Sequence, residues 1–352
     1  MRRVYFAVLG LLFLLSQTEE AVAQFNRSSI KGGNKRMAAY KGGKSRFGKG
    51  KVYNSIGFSL NAVNYYGDLA PSPSKISTDI SFTKPGFAIS YSHRFGPRYA
   101  LQAQFMFATL KGSDSESASQ GDAQNGIYRY KRNASFRNQI KELSVVGVFD
   151  LFENQSTYMS RVKWTPYFYA GLAVFLHNPT AIAPANDLQG NALPGGGQYV
   201  DLQPLGTEGQ HSTLSPTDVN YGIQPYSLVQ VAIPFGFGAR FRLTEVLDLS
   251  ADIGFRYTFT DYLDDVSANY VDLTKLNSPL AQAMSYRTNE LYGNNPPNPQ
   301  VSGIPGVNVE AGYGTEHPDN KRGGKNDKDL YMVTSVRISY IINPKYHQAK
   351  FR

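Results

Sequence analysis

Residues 247–259 have the sequence LDLSADIGFRYTF, in which every odd-numbered position is apolar and the positions between are polar residues or glycine. Successive side chains of a β-strand point to opposite faces, so this pattern gives one strand an apolar face and a polar face. A strand that crosses a membrane at a tilt needs about nine to eleven residues. The segment therefore predicts a strand that is long enough to cross a bilayer.

Seven further segments show strand patterns of similar length. They lie near residues 55–62, 86–95, 99–107, 142–151, 164–177, 231–243 and 332–342, and only the segment at 164–177 is apolar on both faces. The connections alternate between short turns and long loops, and the long ones cover residues 67–85, 112–136, 178–227 and 261–329. An even number of strands with short turns at one end and long loops at the other is the layout of an outer-membrane barrel.

We therefore predict an all-β fold, an eight-stranded antiparallel transmembrane β-barrel over residues 52–343 with long extracellular loops. In hydrocarbon every backbone polar group must be paired, so an exported β-protein spans a membrane only as a closed barrel. Eight strands enclose a space that side chains fill, so we expect a side-chain-filled lumen and no pore. A secreted β-sandwich also alternates, but the regular alternation of loop lengths favours the barrel.

The polar faces of the strands carry charges of both signs. We expect ion pairs inside the barrel between Glu142, Asp248 and Asp252 and the arginines of the same faces, which are Arg240, Arg242, Arg256 and Arg337. Amphipathic tyrosine rings suit the two membrane interfaces. The tyrosines near predicted strand ends, expected there, are Tyr65, Tyr66, Tyr91, Tyr99, Tyr257, Tyr262, Tyr331 and Tyr340.

The N-terminal region has the composition of an export signal followed by a basic tail. Arg2 and Arg3, an apolar run at 6–15 and Ala21-Val22-Ala23 predict a signal peptide over residues 1–23. Residues 25–51 contain nine basic and no acidic residues, which equals the net charge of +9. We expect residues 24–51 to be a flexible basic tail, and residues 344–352 a short C-terminal extension. Eight strands put both termini on the short-turn, periplasmic side of the outer membrane.

Few residues of the sequence suggest catalysis or metal binding. The chain has no cysteine, which excludes disulfides, thiolate metal sites and a cysteine nucleophile, and its five histidines show no metal-ligand spacing. Glu208, His211 and Asp261 are the candidates for loop-borne catalysis. Asp261, Asp264 and Asp265 are a weak candidate for calcium, although such carboxylates more often cap turns. We expect no enzymatic activity, no cofactor, no nucleic-acid partner and no small-molecule substrate.

Four segments carry a family resemblance: YYGDL at 65–69, LQPLGTEGQ at 202–210, IPFG at 233–236 and FTDYLDDVS at 259–267. With these, the chain resembles the Bacteroidota outer-membrane β-barrel family that contains PorG, a component of the type IX secretion system. The loop residues that carry the resemblance include Gln203, Pro204, Glu208, Asp261, Asp264 and Asp265. The resemblance implies a non-enzymatic subunit that associates with a periplasmic ring of PorK and PorN.

Two classes of function therefore stay open. The first is the export subunit, with the basic tail as a candidate contact for the ring through Lys31, Lys35, Arg36, Lys41, Lys44 and Arg46. The second is a surface barrel whose loops carry hydrolase or adhesin activity unrelated to secretion. A small-solute channel is a weaker third interpretation, because the lumen is expected to be filled.

Overall fold

The computed structural model describes residues 52–70, 82–118, 121–122, 126–154, 158–325 and 327–342. The expected signal peptide, basic tail and C-terminal extension lie outside these residues. The described strands are β1 Tyr53–Tyr66, β2 Lys84–Arg94, β3 Tyr99–Ser113, β4 Ser135–Asp150, β5 Trp164–Leu176, β6 Pro179–Ile182, β7 Tyr199–Asp201, β8 Val229–Arg242, β9 Leu247–Thr258, β10 Pro299–Val301, β11 Asn308–Glu310 and β12 Leu330–Ile342. The α-helices are α1 Asp114–Ser117, α2 Gly126–Arg132, α3 Pro279–Ser285 and α4 Asn289–Tyr292.

Eight of the strands form one closed antiparallel barrel. Their order is β1, β2, β3, β4, β5, β8, β9 and β12, and β12 pairs with β1 to close the cylinder. In that closing pair, Leu60 lies opposite Val336. Each strand corresponds to one of the eight segments predicted from the sequence, so the predicted fold class is confirmed.

The strand faces follow the alternation in the sequence. In β9 the acids Asp248 and Asp252 are buried inside the barrel, whereas Ile253 and Tyr257 are exposed on its outer surface. Leu60 of β1 and Leu172 of β5 are 65% and 72% exposed, which are high values for leucines in regular strands. The outer surface is therefore an apolar belt, and the polar set fills the interior.

The inward face of β5 looks apolar in the sequence, although two of its inward aromatic rings carry polar hydroxyl groups. Tyr167 and Tyr169 point inward, and both hydroxyls donate to Asp252, at 2.9 and 3.2 Å. Phe168 and Leu172 face outward. A tyrosine combines an apolar ring with a polar tip, so a pattern of apolar and polar letters does not separate the two faces here.

The expected tyrosine girdle is only partly correct. Tyr91, Tyr99, Tyr257 and Tyr340 are exposed on the outer surface. Tyr65, Tyr66 and Tyr331 are instead buried, and Tyr262 stacks on Tyr226 in the loops with ring centroids 4.6 Å apart. Tyr65 and Tyr331 occupy odd positions, which share the inward register of Val63 and Val333. Parity therefore accounts for Tyr65 and Tyr331, whereas Tyr66, at an even position that is outward farther along β1, is buried with its hydroxyl 3.8 Å from Met332 Sδ.

The long loops fold over one mouth of the barrel. β3 and β4 continue beyond the barrel as a hairpin, to which β6 adds through the pair Arg137–Thr180 and β7 adds in turn. A first apolar cluster joins barrel residues such as Met106 and Phe175 to loop residues such as Leu263. A second cluster lies within the loops around Tyr270 and Tyr286. The loops thus form a packed cap with its own core. None of the described helices is long and apolar enough to span a bilayer.

Candidate functional site

Three of the four segments that carry the family resemblance converge at the capped mouth of the barrel. Residues 65–69 end β1, residues 202–210 contain a 3-10 turn at Gln203–Leu205, and residues 259–267 follow β9. The acids Glu208, Asp261, Asp264 and Asp265 of these segments are buried, as is Asp329, which immediately precedes β12, whereas Asp68 is half-buried. We call this group the acidic cluster, and its members are Asp68, Glu208, Asp261, Asp264, Asp265 and Asp329.

At the barrel side of the acidic cluster, one tyrosine hydroxyl bridges two carboxyl groups. The Tyr65 oxygen lies 2.7 Å from Asp264 Oδ2 and 2.7 Å from Asp329 Oδ1. A phenol has one proton to donate, so the second contact requires a proton on one of the acids. Burial raises the pKa values of Asp264 and Asp329 well above the usual range, and neighbouring negative charges, that of Asp329 for Asp264 and that of Asp261 for Asp329, raise them further. The geometry and the pKa shifts agree that this pair holds a proton.

At the loop side, Arg322 is shared between two acids. Its guanidinium donates to Glu208 Oε1 at 3.0 Å, lies 3.5 Å from Asp265 Oδ2, and also donates to the Asp265 carbonyl oxygen. Thr207 and Tyr226 donate their hydroxyl protons to the Asp265 carboxylate at 2.6 and 2.7 Å. Burial nevertheless raises the pKa values of Glu208 and Asp265. Arg322 is thus the cation that opposes this rise, because its positive charge favours the ionised form of both acids.

Glu208 also fixes the backbone of the loop after β9. Its two oxygens accept hydrogen bonds from the amides of Ser267 at 2.9 Å and Ala268 at 3.1 Å. The Ser267 hydroxyl in turn donates to Asp261 at 2.7 Å. Burial raises the pKa of Asp261 to about 7. These contacts join the loop between β5 and β8 to the loop between β9 and β12.

A second buried ion group connects the remaining two loops. Arg132 of α2 donates to Asp114 at 2.7 Å, to the Asp68 carbonyl at 2.8 Å and to the Arg322 carbonyl at 2.7 Å. The Asp68 carboxylate accepts from the Gly324 amide at 2.7 Å. All four long loops are therefore linked by charge-assisted hydrogen bonds, which are stronger than neutral ones. The arrangement acts as a structural lock on the cap.

The acids that were candidates for calcium lie in the acidic cluster but do not share one metal-binding position. Asp261 accepts from Ser267, Asp264 contacts Tyr65, and Asp265 contacts Arg322. The part of the chain that the structure describes contains no group of three or more acidic or histidine residues able to hold a metal ion. The geometry of this triad therefore gives the calcium expectation no support, because each carboxylate has a protein partner of its own.

The candidates for catalysis are also separated. Glu208 is fully buried under the cap, whereas His211 is exposed, with its Nε2 3.0 Å from the Gln203 carbonyl oxygen. Gln203 itself donates to the Tyr226 carbonyl at 3.2 Å, and Pro204 lies in the short 3-10 turn. The loop residues of the family resemblance thus hold the loop in shape and do not form a nucleophile–base pair.

Inside the barrel, two of the expected ion pairs are present. Arg256 Nε lies 3.4 Å from Glu142 Oε2, which also accepts from the Tyr331 hydroxyl at 2.7 Å. Arg337 lies 3.6 Å from Asp252. These groups cross the middle of the lumen, so removal of one partner would leave a buried charge.

The other three predicted members have partners that the sequence did not indicate. Asp248 pairs with Arg161 at 2.6 Å, and Arg240 pairs with Asp150 at 2.9 Å. Asp150 also pairs with Arg94. Arg242 donates to the Met159 carbonyl oxygen at 3.2 Å. These contacts lie at the short-turn end, where the turn between β4 and β5 folds inward and supplies Arg161.

The main residue that sequence reasoning missed is Arg322. It lies in the run DNKRGGKNDKD at 319–329, where four cations and three acids are mixed with no strand pattern. Its partner Glu208 is 114 positions away. Three acids in the segment 259–267 do imply a compensating cation if they are buried, but that requirement does not identify which cation of a loop supplies it.

Comparisons with known proteins match part of the chain to a family model and align most of the chain with solved outer-membrane proteins. Residues 47–192 match the family model described as a domain of unknown function, DUF6089. A comparison with curated protein sequences finds no match. Among solved structures, Ail of Yersinia pestis is 8% identical with a TM-score of 0.30, and the alignment covers 83% of this chain and 97% of that chain.

Two further outer-membrane proteins are similar at the same level. OprG of Pseudomonas aeruginosa is 8% identical with a TM-score of 0.36, and the alignment covers 84% of this chain and 98% of OprG. A major outer-membrane protein of Thermus thermophilus is 11% identical with a TM-score of 0.35, over 82% of this chain and 99% of that chain. The assignment of a closed eight-stranded barrel comes from the pairing of this chain's own strands.

Proposed function

We propose that the chain is a non-enzymatic, integral outer-membrane subunit of a protein-export machine, similar to PorG of the type IX secretion system. In this role the barrel is an anchor, with both termini on the periplasmic side, and it docks a periplasmic ring of PorK-like and PorN-like proteins. The observation that carries the proposal is a closed barrel with an apolar outer belt and a filled interior. The identity of the export machine comes from the resemblance in the loop segments.

The outer belt supports the membrane location. Exposed side chains such as Leu60, Leu172 and Phe237 belong to an apolar surface contributed by all eight barrel strands. Soluble monomers rarely expose a contiguous apolar patch above a few hundred Å². A strand of 14 residues such as β8 rises roughly 33 Å at a 45° tilt, which exceeds the roughly 25 Å apolar band of such barrels.

The filled lumen supports an anchor over a channel. The ion pairs of Glu142 and Asp252 occupy the middle of the barrel, and the first apolar cluster closes the capped end. At the short-turn end, the cavity beside Arg94 and Asp150 has a volume of about 20 Å³. That space holds roughly one water molecule. A barrel filled along its length has its surfaces, and not its interior, available for function.

The position of the family segments supports different roles for the capped end and the short-turn end of the barrel. Residues 202–210 and 259–267 are occupied in holding the cap, so we assign the periplasmic contacts to the short turns and the basic tail. The proposed tail contacts are Lys31, Lys35, Arg36, Lys41, Lys44 and Arg46. Contacts between exposed charges weaken as salt screens them, so ring binding through the tail should fall with ionic strength.

Copurification tests this proposal. The tagged full-length chain is extracted in mild detergent at low salt, and the bound proteins are identified by mass spectrometry. A variant with the six tail cations changed to glutamine is the first comparison, and a variant with Lys321 and Lys328 in the loops changed to glutamine is the control. We expect ring proteins with the chain and with the control, and reduced recovery with the tail variant. Absence of every export protein from all three samples would overturn the proposal.

A further inference from the structure

The outer surface of the barrel strands has a one-sided distribution of charge. The four acids of the barrel strands, Glu142, Asp150, Asp248 and Asp252, are all buried inside. Lys111 of β3 and Arg137 and Lys141 of β4 are the described Lys or Arg residues of the barrel strands that occupy outward positions. These three residues, which we call the outer basic patch, lie together on two neighbouring strands at the capped end.

The register places the outer basic patch directly beyond the apolar belt. Lys141 lies between Phe107 of β3 and Leu176 of β5 in the paired strands, and the next outward positions of β4 toward the barrel centre are apolar, beginning with Leu143. Arg137 is four residues farther from the centre and pairs with Lys111. Four residues of a strand rise about 13 Å, or about 10 Å along the membrane normal at a 45° tilt. The patch therefore begins at the last apolar level and extends through the depth of a lipid headgroup layer.

The three cations of the outer basic patch differ in the contacts that they make within the protein. Lys111 donates to both oxygens of Glu116 at 2.7 Å. Arg137 lies over the ring of Tyr199 with its guanidinium carbon 5.3 Å from the ring centroid. Neither Arg137 nor Lys141 has an acidic partner within the described ranges. The ring contact orients the planar guanidinium of Arg137, and such a group suits two-point recognition of a phosphate.

From this placement, we propose that Arg137 and Lys141, with Lys111 beside them, bind the phosphate groups of a glycolipid in the outer leaflet. The inference rests on the membrane location proposed above, because only that location brings lipid phosphates to this level. A protein of the membrane surface is the competing partner. Lipid is favoured because the patch is continuous with the apolar belt, so one ligand with acyl chains and a phosphorylated headgroup meets both surfaces.

The test uses the full-length chain in detergent micelles with purified bis-phosphorylated lipid A. Binding is measured by native mass spectrometry for the chain, for R137Q/K141Q and for K321Q/K328Q, which removes two exposed cations from the loops at the same end. We expect R137Q/K141Q to bind lipid A about thirtyfold more weakly, which corresponds to about 1 kcal/mol for each cation near an anionic lipid surface. The control variant should bind as the parent chain does.

Two ligand controls separate the possible sources of the effect. Dephosphorylated lipid A should bind the parent chain and R137Q/K141Q equally, and inorganic phosphate alone should not compete. Equal binding of bis-phosphorylated lipid A to all variants overturns the inference, as does competition by inorganic phosphate at the affinity of lipid A. Loss of a copurifying surface protein from R137Q/K141Q, with lipid A binding unchanged, would assign the patch to a protein. The binding assay needs no ring protein, so it can succeed where the export role fails.

Discussion

Substitution of Arg322 by methionine should open the cap without unfolding the barrel. The guanidinium is the cation shared by Glu208 and Asp265, and its side chain is only 4% exposed. Without it, two buried carboxylates keep only hydrogen-bond donors, which are the Ser267 and Ala268 amides for Glu208. Removing one partner of a buried ion pair costs about 3–5 kcal/mol. The closed state of the cap should therefore lose about that much free energy at pH 8.

Hydrogen exchange of the Ser267 and Ala268 amides reports on this opening directly. A cost of about 3–5 kcal/mol corresponds to a loss of protection of roughly a hundredfold to a few thousandfold. Amides in β1 should keep the protection of the parent chain, since the barrel has its own ion pairs. R322K keeps the charge but cannot span both acids, so its loss should be smaller.

The effect of R322M should also depend on pH in one direction. A protonated carboxyl needs no cation, and burial already raises the pKa values of Glu208 and Asp265. Neutralisation at pH 5 should therefore restore part of the protection that is lost at pH 8. Unchanged protection of Ser267 and Ala268 in R322M at pH 8, or an equal loss throughout β1, would refute the claim that Arg322 holds the cap closed.

Three further outcomes are expected from the same structure. Changing Arg256 to methionine should lower the free energy of unfolding of the refolded barrel in urea by about 3–5 kcal/mol, because Glu142 is then buried with only Tyr331 as its partner. Because burial raises the pKa of Asp261 to about 7, its contribution to stability is fully present at low pH and falls between about pH 4 and pH 7. Thermal unfolding followed from pH 5 to pH 8 should accordingly show a smaller decline for D261N than for the parent chain, and equal slopes would contradict the assigned pKa. The purified protein should give no stepwise conductance in planar bilayers, and steady channel openings would disprove a filled lumen.

The barrel was predictable because strand alternation is local information. Each of the eight segments is periodic within a dozen or so residues, and inward parity alone puts Glu142, Asp252, Arg256 and Arg337 in the lumen. The exception is β5, whose tyrosines look apolar in the sequence but supply hydroxyl donors to Asp252. The pairing of Arg161 with Asp248 was not predictable, because it depends on how an irregular turn folds into the barrel.

The cap was predictable in its position but not in its contacts. The presence of four long loops follows from the strand pattern. Their folded arrangement, however, depends on hydrogen bonds between residues far apart in the chain, such as Tyr65 and Asp329, which are separated by 264 positions. The acids at 261, 264 and 265 suggested a metal site because their spacing is close. Their side chains instead have separate partners, which are Ser267 in the same loop, Tyr65 of β1 and Arg322, and that arrangement is set by tertiary packing.

The central claim is that the outer face of the barrel lies in lipid, and depth-resolved tryptophan quenching tests it most directly. The chain has one tryptophan, Trp164, at the short-turn end of β5. In a W164F/L172W variant the probe moves eight residues along that strand, which is about 19 Å along the membrane normal at a 45° tilt. In vesicles with brominated lipids, we predict strongest quenching of Trp164 by bromines near the headgroup and of the residue-172 probe by bromines deep in the acyl chains. Absence of quenching at both depths for both proteins would contradict the claim.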